Sequence, residues 1–260
     1  MEISFQQCKQ ELLDNANPHG QAAYAEWRQR AGYGPVIAFV EGFTHRQLFR
    51  LSSGMIRDVM KRSDHPLGDV RKEEALKSIE DYTCPFALQH IFHAYIEEKG
   101  TVPAWQEFDA YINTEAREKW LEPLRQVLAS FPEVNGLIAK MGREKAWEQV
   151  KRAIRWRLGK FYLSAIRELD LLTRLRELGV PIRYHVLADV LLRVDFWTGG
   201  MLVCVYFENR KYRDRKPPAE RFFTGFNILH AKIERQGFGR FWLATDKAVQ
   251  ELASRLYSAK

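Results

Sequence analysis

The stretch DFWTGGMLVCVYFENRK, residues 195–211, decides how the rest of the chain is read. Two apolar runs flank Thr198-Gly199-Gly200, and glycine supplies the positive φ that a hairpin turn needs. The pattern predicts two antiparallel strands joined by a loop of about four residues. An acid, Asp195, stands at the start, and Glu208-Asn209-Arg210 stands at the far end. Upstream, VPIRYHVL (180–187) and DVLLRVDFW (189–197) also read as strands. Period 2 then puts Asp189, Leu191, Arg193, Asp195 and Trp197 on one face. Val190, Leu192, Val194 and Phe196 take the other, buried face. On the following strand Cys204, Tyr206, Glu208 and Arg210 share a side. In this register Asp189 falls opposite Glu208, and Asp195 lies nearer the turn. Either acid is placed to share a site with Glu208 and Arg210, and a slip of one residue would move the set. The competing reading is that these are ordinary charges on strand edges.

Working outward, PPAERFFTGFNILHAKIERQG (217–237) reads as a mixed segment with one helix at most, and RFWLAT (240–245) as a short strand. DKAVQELASRLYSA (246–259) closes the chain as a helix with Thr245 or Asp246 as N-cap. Before the strands, a helical pattern runs from 143 to 178 and stops at Gly179, a C-cap signal. Its first half carries Arg143, Lys145, Lys151, Arg152, Arg155, Arg157 and Lys160 against two acids. Lys151, Arg152, Arg155 and Lys160 are the candidates there for backbone-phosphate contact. The loop ENRKYRDRKPPAERFF (208–223) adds Arg213, Arg215 and Lys216, with Tyr212 placed to stack on a base.

Residues 1–142 are helical in pattern throughout, punctuated by Gly and Pro. AYIEEKGTVPAWQEFDAYI (94–112) has the form of a helix-turn-helix, which either presents its second helix to DNA or buries Trp105, Phe108 and Tyr111 in the core. The expected division is a helical region over 1–142, able to bind DNA or a partner, and a second unit over 143–260. The expected fold class is α+β or α/β.

The chain has 260 residues and a formal charge of +7, with a pI near 9.3. That balance permits a polyanionic partner. No long uncharged apolar run signals a membrane span, and the N-terminus is too polar for a secretory signal. Cys8, Cys84 and Cys204 lack metal-ligand spacing, which points to a reduced, cytoplasmic setting.

Asp-x(n)-Glu-x-[Lys/Arg] on a hairpin, in the order helix, three strands, helix or loop, strand, resembles the PD-(D/E)XK nuclease superfamily. The resemblance covers about residues 155–260 and implies an αβββαβ restriction-endonuclease-like core. Carried over, Asp195 takes the first-acid position with Asp189 as its rival, and Glu208 takes the second. Arg210 stands where the family has lysine, with Lys211 adjacent. Glu168 matches an acid that some members place on the preceding helix. No proline precedes Asp195. The implied cofactor is Mg²⁺ or Mn²⁺, held by oxygen ligands from Asp189, Asp195 and Glu208. The implied activity is endonucleolytic hydrolysis of DNA, in defence against foreign DNA or in a mobile element. The alternative is a nuclease-fold subunit without catalysis that binds nucleic acid or scaffolds a larger complex.

Weaker signals remain. His90 and His93 lie three apart without a third ligand. His185 reads as structural or as orienting a water, and Cys204 as a small apolar residue. GYGP and GFGR lack the setting of a phosphate loop.

Overall fold

The computed structural model describes residues 3–30, 32–68, 74–80, 89–114, 128–207 and 218–258. The helices are α1 (Phe5–Cys8), α2 (Pro18–Arg28), α3 (Gly34–Glu41), α4 (Ser53–Arg62), α5 (Lys77–Glu80), α6 (Gln89–Lys99), α7 (Trp105–Asn113), α8 (Pro132–Met141), α9 (Arg143–Glu177), α10 (Val186–Leu192) and α11 (Asp246–Ser258). The strands are β1 (Phe196–Thr198), β2 (Met201–Phe207), β3 (Asn227–Ile233), β4 (Arg235–Phe238) and β5 (Phe241–Ala244).

Helix α9 is the spine. Its 35 residues rise about 52 Å. It ends as the sequence predicts, with Gly179 at φ +88°. The Gly179 N–H donates to Arg176 O and the Val180 N–H to Leu175 O, the two bonds of a Schellman cap. Helices α4, α5, α6, α8 and α11 and strand β5 pack along it. At Gly159 the 66–67 segment comes so close that an added Cβ would lie 2.9 Å from Pro66 O, so glycine is required there. One continuous apolar cluster runs from Ile3 to Leu256 and joins the N-terminal helices to the sheet.

Gly199 and Gly200, both at positive φ, make a two-residue turn between β1 and β2, shorter than the spacing suggests. The antiparallel register sets Phe196 against Val203 and Thr198 against Met201. An isolated bridge pairs Arg183 with Trp197 on the outer side of β1. Strand β3 runs parallel to β2, from Met201 against Asn227 to Phe207 against Ile233. The class is therefore α+β, with helices dominating and small sheets, one of them mixed.

Two expectations need correction, and one pair of alternatives is decided. The segment 186–192 is a helix, so Asp189 lies on α10 and not on a strand face, and it takes part in no ladder; Glu208, its expected partner, lies outside the described residues. Val186, Leu187, Ala188, Val190, Leu191 and Leu192 are all buried, so an apolar run enclosed on every side hid its 3.6-residue period. The helix stops where Arg193 turns left-handed at φ 60°. The segment 217–237 forms strands β3 and β4 rather than a helix, beyond a single 3₁₀ turn at Pro218–Arg221. Lastly, α7 buries Trp105, Phe108 and Tyr111 and carries no Lys or Arg; its Glu107 pairs with Arg62 and its Asp109 with Arg155. Its outer face does not suit a phosphate backbone.

Candidate active site

Where α6, α9, α10 and the start of β1 meet, a cavity of about 30 Å³ opens, enough for roughly two waters or one small ion. Its polar lining is Glu168, Asp189, Asp195, Tyr184 and His93, and Phe92, Phe161 and Phe196 give the largest of its apolar walls. Each acid arrives from a different element. Glu168 comes from the buried half of α9, Asp189 from α10, and Asp195 from the bend that leads into β1.

Asp195 is held firmly. Its Oδ2 accepts from the Val205 N–H at 2.7 Å, and its own N–H donates to Val203 O at 3.0 Å. Glu168 Oε1 accepts from Ser164 Oγ at 2.8 Å. Asp189 Oδ2 sits 3.5 Å from the Tyr184 hydroxyl, and that hydroxyl is 3.0 Å from His93 Nε2. Burial pushes all three carboxyls up in pKa, and the acids reinforce one another at Asp189 and Asp195. Asp195 is raised to about 7 by burial and by Glu168, against the Val205 N–H and Arg193. Asp189 rises well above its ordinary value through burial, Glu168 and Asp195. Among the described residues, none of the three makes an ion pair within 4 Å.

Three buried histidines, His45, His93 and His185, have lowered pKa values. Burial lowers His93 to about 3 and His185 to about 4, and takes His45 well below its usual range. His185 is an N-cap: its Nδ1 accepts from the Leu187 N–H at 3.1 Å, which leaves Nε2–H to donate to Phe43 O at 3.3 Å. His45 Nε2 accepts from the Val186 N–H at 2.9 Å. These two fix the start of α10, and so place Asp189. His90 is buried on α6 away from the lining. Cys204 is buried, with its thiol pushed up to about 12 by burial and by Asp195.

The sequence-derived residues divide into three groups. Asp189, Asp195 and Glu168 come together, so the two aspartates are neighbours rather than rivals. Lys151, Arg152 and Lys160 are exposed on the other half of α9. Arg155 is half-buried there, 3.6 Å from Asp109 and over the Trp105 ring. Lys151 also pairs with Glu148 at 2.6 Å. From Lys151 to Glu168 is about 25 Å along the helix axis. Glu208, Arg210, Lys211, Tyr212, Arg213, Arg215 and Lys216 lie outside the described residues.

Tyr184, Ser164 and Arg167 were not picked out from sequence. Ser164, Arg167 and Glu168 do carry a signal: polar residues at i, i+3 and i+4 within an otherwise apolar stretch of helix. Tyr184 carries none.

Among the described residues no three Asp, Glu, His or Cys side chains stand close enough to form a complete ligand set. Three of the five polar groups that line the cavity are carboxylates, whose oxygens are the type a hard divalent cation prefers. No described helix is long and apolar enough to cross a membrane. No protein-family model, curated protein or solved structure matches this chain.

Proposed function

We propose that this protein is a Mg²⁺- or Mn²⁺-dependent DNA endonuclease with a PD-(D/E)XK-like unit over 143–260. One observation carries the reading: Glu168, Asp189 and Asp195 from three elements line one small cavity, and among the described residues none of them has a cation within 4 Å. Three mutually repelling carboxyls in a half-buried setting are costly unless protons or a metal ion neutralise them. Part of the order of elements supports the reading: a helix bearing Glu168 is followed, beyond the bridge at Arg183 and the helix α10, by the antiparallel pair β1–β2 and by β3 parallel to β2. Glu208-Asn209-Arg210 follows directly on the last residue of β2, Phe207.

In this scheme Asp189 and Asp195, together with Glu208, would hold the ion, with Glu168 beside them on the helix. Bound there, the ion would polarise a phosphoryl oxygen and ease ionisation of a water. Arg210 or Lys211 offsets the negative charge that grows on phosphorus. Lys151, Arg152, Arg155, Lys160, Arg213, Arg215 and Lys216 hold the backbone, and Tyr212 stacks on a base. The fixed bond between Asp195 and the Val205 N–H keeps one carboxylate oxygen in place while its other oxygen faces a ligand.

The test is nicking of supercoiled plasmid with Mg²⁺ or Mn²⁺ by wild type, Glu168→Gln and Asp195→Asn. Cleavage that requires the divalent ion and disappears in both variants supports the reading; equal cleavage in all three proteins refutes it. The raised pKa of Asp195, which favours a neutral carboxyl near pH 7, favours a second reading: a nucleic-acid-binding or scaffold subunit without catalysis. It requires salt-sensitive DNA binding that persists in chelator, with no cleavage under any divalent ion.

A further inference from the structure

Near the acid-lined cavity, Arg167 and Arg235 have no carboxylate within 4 Å among the described residues. On α9, the Arg167 Nη2 donates to Ser164 Oγ at 3.1 Å, and Ser164 Oγ donates to Glu168 Oε1 at 2.8 Å. A single hydroxyl therefore links this guanidinium to a carboxylate of the cavity. The Arg167 guanidinium carbon sits 4.2 Å from the centre of the Phe207 ring. Phe207 ends β2 and pairs with Ile233, which ends the parallel strand β3. Two residues beyond Ile233, Arg235 lays its guanidinium 4.9 Å from the centre of the Trp242 ring. The pairing of Phe207 with Ile233 therefore brings the Arg167 and Arg235 stacks to the same end of the parallel pair.

Acceptors are scarce around both. The buried Arg167 Nε–H has no hydrogen-bond partner among the described residues. Neither guanidinium has a carboxylate within 4 Å among the described residues. Both side chains are half-buried, so each keeps a path to solvent. Stacking on an aromatic face orients the guanidinium plane and leaves its edge donors for a ligand. The planar fork matches the oxygens of a phosphate. The carboxyl ends of parallel strands are also where ligands gather in α/β sheets.

We propose that Arg167 and Arg235 form a phosphate clamp that takes a backbone phosphodiester of nucleic acid and holds it next to the acid-lined cavity. The clamp deepens the nuclease reading by naming the groups that seat the substrate phosphate, but its binding step needs no metal ion.

The experiment uses the full chain in chelator, with a short labelled DNA duplex followed by fluorescence anisotropy over a series of salt concentrations. Arg235→Gln and Arg167→Gln each bind roughly fivefold to tenfold more weakly, and each makes the slope of log affinity against log salt shallower by about 1. Lys247→Gln, at an exposed site paired with Glu251, leaves affinity and slope unchanged. Arg167 packs on Phe207, so its variant counts only if its thermal midpoint matches wild type; otherwise Arg235→Gln decides alone. Equal affinity and slope in Arg235→Gln and wild type overturn the clamp, as does a wild type that binds no duplex at low salt. If inorganic phosphate binds wild type but not Arg235→Gln while duplex binding is equal, the DNA assignment is overturned. Weakened duplex binding in Arg235→Gln, alongside a wild type that cuts nothing, upholds the clamp and sinks the nuclease reading. Cleavage by Arg235→Gln at wild-type KM does the reverse.

Discussion

Two residues apart on α9, Glu168 and Asp170 face opposite fates. Asp170 is fully buried and surrounded by cations: Arg174 at 3.3 Å and Arg57 at 3.9 Å. Arg174 also donates to Ala244 O at 2.8 Å and to Asp246 at 2.5 Å, which ties α9 to β5 and α11. Burial raises the Asp170 pKa, but both arginines pull it back. At the cavity burial raises Glu168, Asp189 and Asp195 as well, yet around the two aspartates the neighbours are largely further acids. One cluster is a charge-balanced structural network, although Asp170 Oδ1 lacks a hydrogen bond among the described residues. The other is a charge imbalance kept in place by hydrogen bonds, and such imbalances concentrate at functional sites.

The largest effect should come from breaking the charge-balanced network. Asp170→Asn leaves Arg174 buried beside a neutral amide and should cost about 3–5 kcal/mol in urea unfolding. Asp195→Asn should do the opposite to stability. Asparagine still accepts from the Val205 N–H and removes a repelling charge, so the thermal midpoint at pH 8 should equal or exceed wild type. Plasmid cleavage should nonetheless fall by at least about 100-fold, or about 2.7 kcal/mol. A variant that loses stability and activity together would erase the contrast between the two clusters.

A smaller effect sharpens it. Tyr184→Phe removes the partner of His93 Nε2 and the hydroxyl nearest Asp189, and should cost about 1–3 kcal/mol. The pH dependence tests the sign. Asp195 is raised from 3.8 to about 7, so between those values the native state holds more protons than the unfolded chain. Its contribution is then greatest below pH 4 and falls as pH rises through 7, and Glu168 and Asp189 act in the same direction. Urea unfolding at pH 5 and pH 8 should show this fall in wild type and a smaller one in Asp195→Asn. At the small end, Thr245→Ala should cost about 1 kcal/mol, since Thr245 Oγ1 accepts from the Ala248 N–H at 3.1 Å at the start of α11.

Local chemistry made much of this legible in advance. Gly179 stopped α9, Gly199 and Gly200 turned the hairpin, and Thr245 was one of two N-caps expected for the last helix. Each is settled within a few residues by backbone sterics and hydrogen bonding, so each can be read from a short string. Asp189, Asp195 and Glu168 were marked as acids, the last through resemblance, because charges amid apolar runs stand out.

Tertiary structure alone decided how those acids meet. VLADVLL is buried all round, so its sequence holds no amphipathic period to tell helix from strand, and its place against α2 and α6 made the choice. Strand β3 is parallel to β2, so its register, Met201 against Asn227, joins residues 26 apart in the chain that no tight hairpin turn could pair. Tyr184 meets His93 across 91 residues of chain, and Arg167 meets Phe207 across 40. No string of neighbours encodes such contacts. They exist because a core that excludes water must satisfy its polar groups with whatever packing brings near.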